Sequence, residues 1–111
     1  MSIPPENSLP VLSVVIPVLN EAAVLPSLLA TLERQLASVN FVVEVIFVDG
    51  ASVDNSAELI RAQGYSCVHS ERGRAQQMNA GAAQASAGKI IFLHADSDLA
   101  DGSFNAVVAA L

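Results

Sequence analysis

An open, mostly parallel α/β sheet with helices on both faces is the fold this sequence predicts, and two observations predict it. First, "LSVVIPVL" (Leu12–Leu19), "VVEVIFVD" (Val42–Asp49) and "KIIFLHAD" (Lys89–Asp96) are nearly continuous apolar runs. A strand covered on one face alternates apolar with polar; an unbroken run is covered on both, as in a parallel sheet. Second, the stretches between these runs change to helical period. Parallel neighbours need such crossovers, and the crossovers are right-handed.

In chain order, "MSIPPENSLP" carries three prolines and few apolar groups and reads, with Val11, as a loose leader over residues 1–11. The domain proper is residues 12–111. After the first strand, Leu25, Leu28, Leu29, Leu32 and Leu36 form one helical stripe. Pro26 belongs in that helix's first turn, where its missing N–H is not needed. The second strand is followed by a helix over roughly Asp54–Gln63, with Ser52 or Asp54 as N-cap and Gly64 as stop. "SCVHS" (Ser66–Ser70) is a shorter, less buried strand. A third helix spans Arg74–Ala87 and ends at Gly88; its alanines and Gly81 let it lie close against a sheet. The third long apolar run then leads to a helix that starts at Gly102 and is still helical at Leu111. The order is βαβαβαβα, in one layered domain.

At 111 residues the chain holds one core, not two. Five basic against eleven acidic residues give a net charge of −6 with no basic run, which argues against nucleic acid or an anionic membrane as partner. A phosphate-bearing ligand would be repelled unless a cation or a local arginine intervened. The single cysteine, Cys67, excludes a disulfide framework and reads as a packed small hydrophobe; His69 reads as an exposed strand-end residue. No apolar run approaches the roughly 20 residues of a transmembrane segment, and the start lacks a signal peptide's features. The expected location is cytoplasmic.

Ligands of open α/β sheets bind beyond the carboxyl ends of the strands. Three polar segments fall there: Asn20-Glu21, "DGASVDNS" from Asp49, and "HADSD" from His94. If the extended backbone persists, His94, Asp96 and Asp98 share one face, a donor set suited to Mg²⁺ or Mn²⁺. The plainer alternative is a turn plus a cap for the last helix through Asp98 or Asp101. An EF-hand fails because Ala100 and Val107 stand where ligands are needed. A phosphatase-type acid would follow the first strand and carry Thr or Val at Ala100. Asp49 could accept hydrogen bonds from a base or ribose, or simply cap the next helix. Glu21 is either a first-turn acid favoured by the helix dipole or a ligand contact. Arg72 and Arg74 flank Gly73 at a helix start, where positive charge opposes the dipole unless an anion is bound; the alternative is a solvated pair around Glu71. No G-x-G-x-x-G follows the first strand, which disfavours a dinucleotide-binding oxidoreductase.

Taken together, "VVIPVLNEA", "EVIFVDGASVDNS" and "RGRAQQMNAGAAQASAGKIIFLHADSD" resemble the nucleotide-binding half of family 2 glycosyltransferases of the GT-A fold, and are similar to a bacterial branch of the family. The resemblance implies that the segment with Pro17, Leu19 and Glu21 covers base and ribose, that Asp49 reads the base, and that Arg72 and Arg74 border base and diphosphate. It implies that the strand end is the DxD motif, binding the ribose and, through Mg²⁺ or Mn²⁺, the diphosphate. His94-Ala95-Asp96 and Asp96-Ser97-Asp98 are alternative registers: His94 is expected on the nucleotide, Asp96 and Asp98 on the metal. Two further departures stand out: Gly50 replaces a frequent second Asp, and Met78 a frequent Arg. The implied activity is glycosyl transfer from a nucleotide-diphosphate sugar to an unassigned acceptor, usually with inversion. In the family the acceptor site and general base follow the DxD, so the expectation is a donor half whose second half is absent. The competing expectation is a non-catalytic nucleotide-binding or regulatory module. An unfinished sheet edge adds self-association to the expectations.

Overall fold

The computed structural model of the chain describes residues 9–96 and 103–110. Within them lie β1 (Leu12–Val18), α1 (Leu25–Ala37), β2 (Val43–Asp49), α2 (Ser56–Ala62), β3 (Ser66–His69), α3 (Arg74–Gln84), β4 (Ile90–Phe92) and α4 (Ser103–Ala110). The strands form one sheet of order β3-β2-β1-β4, and every pairing is parallel. The chain steps outward from β1 to β3, then returns across the sheet to place β4 on the other side of β1. The switch point is therefore between β1 and β4.

Alternate residues divide the sheet into two faces. Leu12, Val14, Ile16 and Val18 of β1, with Val45 and Phe47 of β2, pack under the leucine stripe of α1, Ile60 of α2 and Phe104 of α4. Val15, Ile46 and Val48 face the other way, toward Ala80 of α3. Helices cover both faces, which is why β1 and β2 need no polar alternation. Pro26 sits in the first turn of α1.

Several boundaries differ from the sequence expectation by a residue or more, and four of them bear on the site. β1 stops at Val18 rather than Leu19. β4 stops at Phe92 rather than Asp96, because it pairs with β1 alone, and Ala95-Asp96 form a turn. Thus the alternation that was to align His94 with Asp96 ends before either. Next, α2 begins at Ser56 after Asn55, whose side chain makes no cap bond; Asp54 Oδ1 accepts from the Ser56 N–H at 3.0 Å, as a cap would, while its Oδ2 and Ser52 bond across to another loop. Finally, α3 ends at Gln84 because the chain beyond it is captured by the sheet. Glu44 Oε1 accepts from the Ser13 hydroxyl (2.8 Å) and the Ser86 N–H (2.9 Å), its Oε2 accepts from the Ser86 hydroxyl (3.1 Å), and the Ala87 N–H donates to Ser13 Oγ (3.2 Å). Most of the leader, residues 1–8, lies outside the described residues.

That knot has a pH consequence. Burial pushes the Glu44 carboxyl up, but the bonds from Ser86 and Ser13 outweigh it and hold its pKa below the ordinary 4.5. A carboxyl depressed on folding adds stability above its unfolded pKa and loses it as pH falls through the folded one. Glu44→Gln should therefore cost about 1 kcal/mol at pH 7, modest because the group is partly exposed. It should also flatten the loss of stability below pH 4.5, read by urea unfolding from pH 6 to pH 3.

Candidate functional site

The carboxyl ends of β1 and β2 each run straight into a loop, and the two loops are laced together. Asn20 takes the left-handed conformation (φ 53°), which its side chain tolerates, so its Oδ1 accepts from the Val53 N–H at 2.8 Å. In return the N–H groups of Asn20, Glu21 and Ala22 donate to Ser52 Oγ (2.9 Å), Ser56 Oγ (3.0 Å) and Asp54 Oδ2 (3.1 Å). Bonds to Ser56, chiefly from its hydroxyl, hold the Asp54 carboxyl below the usual range despite the opposing effect of desolvation. The lacing fixes Glu21 and Asp49 relative to each other. It also consumes three successive backbone donors that could otherwise have met an anion.

Asp49 closes β2 with only 3% of its surface exposed. Its Oδ2 accepts from the Ser52 N–H at 3.2 Å and lies 3.7 Å from His69 Nδ1. Its Oδ1 is buried without a hydrogen-bond partner among the described residues. A buried polar atom left unmatched is uncommon, and one at a strand exit marks a position where a ligand donor would be matched. The His69 side chain is exposed, as expected, but its closeness to Asp49 was not.

Beside the switch point a groove of about 100 Å³ is lined by Pro17, Leu19, Glu21, Arg74, Gln77, His94 and Ala95. Five of the residues singled out in the sequence thus converge from three elements. Arg74 Nη1 and His94 Nε2 are 3.1 Å apart. A guanidinium only donates, so the His94 nitrogen accepts, and its lone pair is not open to a cation. Arg72 is exposed and is not among the lining residues. Asp96 is exposed and lines a neighbouring cavity of about 250 Å³ with Ser27, Thr31 and Ala95. Asp98 lies outside the described residues. Among the described residues no three His, Cys, Asp or Glu side chains gather as a metal site. A larger cavity, about 300 Å³, lies between α1 and α2 and has Glu33 as its one carboxylate, away from the strand ends.

Gln77, the groove residue the sequence reading missed, lies on the sheet-facing side of α3 and is 5% exposed. Its Nε2 donates to the carbonyls of Val18 (2.9 Å) and Val48 (3.1 Å), bridging the ends of β1 and β2. Gly50 makes room for it: a Cβ there would stand 2.6 Å from the Gln77 Cδ. This gives a physical reason for Gly50. A signal existed in the sequence, since Gln77 is four residues before Gly81 and so shares the helix face that must meet the sheet.

The family model "Glycosyl transferase family 2" matches residues 13–111. An undecaprenyl-phosphate 4-deoxy-4-formamido-L-arabinose transferase of Pseudomonas paraeruginosa is 50% identical over 50 residues, 45% of this chain and 15% of that protein. Among solved structures, residues 1–349 of S. aureus TarS superpose with a TM-score of 0.76 at 21% identity, over 88% of this chain and 31% of that one. The mannosyltransferase PcManGT from Pyrobaculum calidifontis, in complex with GDP-Man and Mn²⁺, gives 0.74 at 24% identity, over 89% and 32%. Glucosyl-3-phosphoglycerate synthase from Mycobacterium tuberculosis, in complex with Mn²⁺, UDP and glucosyl-3-phosphoglycerate, gives 0.71 at 24% identity, over 87% and 37%. The fold is that of the solved structures, and this chain spans between 15% and 37% of the length of these proteins.

Proposed function

Because the chain belongs to glycosyl transferase family 2, we propose that its strand-end groove binds a nucleotide-diphosphate sugar with a divalent metal, as the donor half of a glycosyl transfer. The observation that carries this reading is the convergence of Pro17, Leu19, Glu21, Arg74 and His94 beside the switch point, next to the unmatched Oδ1 of Asp49. Asp49 accepts a donor of the base, Pro17 and Leu19 supply apolar cover, and Glu21 meets the ribose. Arg74 opens α3 with no acidic residue in its first turn, so a diphosphate there would offset both the guanidinium and the helix dipole. Arg72, outside the groove, contributes at longer range.

Metal binding falls to Asp96 and Asp98, since His94 Nε2 is engaged by Arg74. Asp96 fits: it is a hard, exposed oxygen donor that takes no hydrogen bond among the described residues. A bound Mg²⁺ or Mn²⁺ would neutralise charge on the departing diphosphate. Two of the similar structures contain Mn²⁺, which supports the choice.

On this reading residues 12–111 are the nucleotide-sugar-binding half, and the acceptor site with its general base belongs to another part of the enzyme. The setting is cytoplasmic; no helix among the described residues is long and apolar enough to cross a membrane.

The test is thermal unfolding of the chain with UDP or GDP, with and without Mn²⁺. At about 100 times its dissociation constant the correct nucleotide should add roughly 2.7 kcal/mol. That gain should require Mn²⁺ and vanish in Asp96→Ala. Absence of stabilisation by either nucleotide with Mn²⁺ would count against the donor-site reading.

A further inference from the structure

We propose that Gln77 is a specificity-determining residue of this groove, presenting its amide oxygen as a fixed acceptor to an N–H or O–H of the nucleoside part of the ligand. The inference rests on the donor-site reading above. A free carboxamide can rotate and offer either its oxygen or its nitrogen, and so discriminates poorly between ligand donors and acceptors. Gln77 cannot. Its nitrogen is held between the carbonyls of Val18 and Val48, and turning the amide over would set its oxygen against both carbonyl oxygens. The anchoring carbonyls belong to β1 and β2, the two innermost strands, so the support is rigid. Gly50 holds the other side, with no side chain to push the carboxamide aside. The oxygen takes no hydrogen bond from the protein among the described residues, and Gln77 lines the groove. Asp49, whose Oδ1 is also unmatched among the described residues, stands at the neighbouring strand end and is not among the groove's lining residues.

Two ligand groups share the required chemistry: the ring N–H of the base and the ribose hydroxyls. The experiment compares UDP with its N3-methyl and 2′-deoxy analogues, or GDP with its N1-methyl and 2′-deoxy analogues, whichever parent binds, by calorimetry in Mn²⁺. One analogue should bind the wild-type chain about tenfold more weakly than its parent, the scale of one hydrogen bond. In Gln77→Met, which keeps the length and loses the oxygen, that difference should disappear. The analogue affected names the group. Gly50→Ala, which displaces the carboxamide without removing it, should erase the same difference and serves if Gln77→Met does not fold. Equal weakening of parent and analogues in both variants would show a structural latch only and overturn the assignment. If every analogue that binds the wild type more weakly does so equally in both variants, the discrimination lies with Asp49 and the assignment to Gln77 is overturned as well. Failure of the wild-type chain to bind either parent would sink the donor-site reading itself, and this inference with it.

Discussion

Gly81→Ala should destabilise the chain by about 2 kcal/mol, a fall of roughly 10 °C in unfolding midpoint for a domain of this size. The sign is the informative part. In a solvent-facing helix the same change gains up to about 1 kcal/mol, because alanine is the better helix former. Gly81 faces the sheet instead. A Cβ there would fall inside van der Waals contact of Val15 Cγ1 and lie 2.9 Å from Val48 Cγ2. Both neighbours are β-branched, so neither can swing its methyl away at low cost. They also stand on adjacent strands and are fully buried, so no surface on that side can yield. The helix itself must retreat. That lengthens the Gln77 bonds to Val18 and Val48, one turn earlier on the same face. Overpacking therefore outweighs propensity. Ala83→Gly, at an exposed position of the same helix, should cost about 1 kcal/mol and give the propensity effect alone. Urea unfolding of both variants decides the matter: a stability gain in Gly81→Ala would mean that α3 rides higher on the sheet than described.

The same contrast between local and distant partners explains what could be read in the sequence. β1 and β2 were legible because burial on both faces writes itself as an unbroken apolar run. The βαβ order was legible from the change of period. Boundaries were missed where a side chain serves a partner far along the chain. Ser52 and Asp54 read as caps because helix caps are their commonest use; Asp54 does accept from the Ser56 N–H, but it and Ser52 also accept from Ala22 and Asn20, 32 residues away. α3 is shorter than its helical pattern implies because the residue that ends it, Glu44, lies 42 residues from Ser86. The candidate site shows the same division. Pro17, Glu21, Arg74 and His94 sit in recognisable segments, and the fold brings them to one groove. Gln77 carried no motif; its role exists only because two strand ends meet beneath it. The contact between Arg74 and His94 was likewise not legible, because the two residues stand 20 positions apart and meet only through the fold.

Asp49→Asn tests the site from the opposite direction, because stability and binding should move apart. A buried carboxylate held for structural reasons loses stability when neutralised. Asp49 is differently placed: one oxygen accepts from Ser52, the other is buried and unmatched, and the nearest cation candidate, His69, is 3.7 Å away on an exposed side chain. Keeping a charge there without enough partners is unfavourable, and asparagine removes the charge while retaining an oxygen for the Ser52 N–H. The nucleotide-free variant should therefore match the wild type or exceed it by about 1 kcal/mol. Binding should respond the other way. If the unmatched oxygen accepts a ligand N–H, replacing it with an NH₂ group sets donor against donor and removes a charge-assisted bond. That should weaken the preferred nucleotide by about 2 to 3 kcal/mol, some 30- to 150-fold. Urea unfolding without ligand and calorimetric titration with nucleotide and Mn²⁺ read the two effects separately. Lower stability with unchanged affinity would make Asp49 a structural residue of the β2 turn and remove it from the site. Equal stability with lost affinity would mean that the fold tolerates an unmatched carboxylate at this strand exit because a ligand completes it.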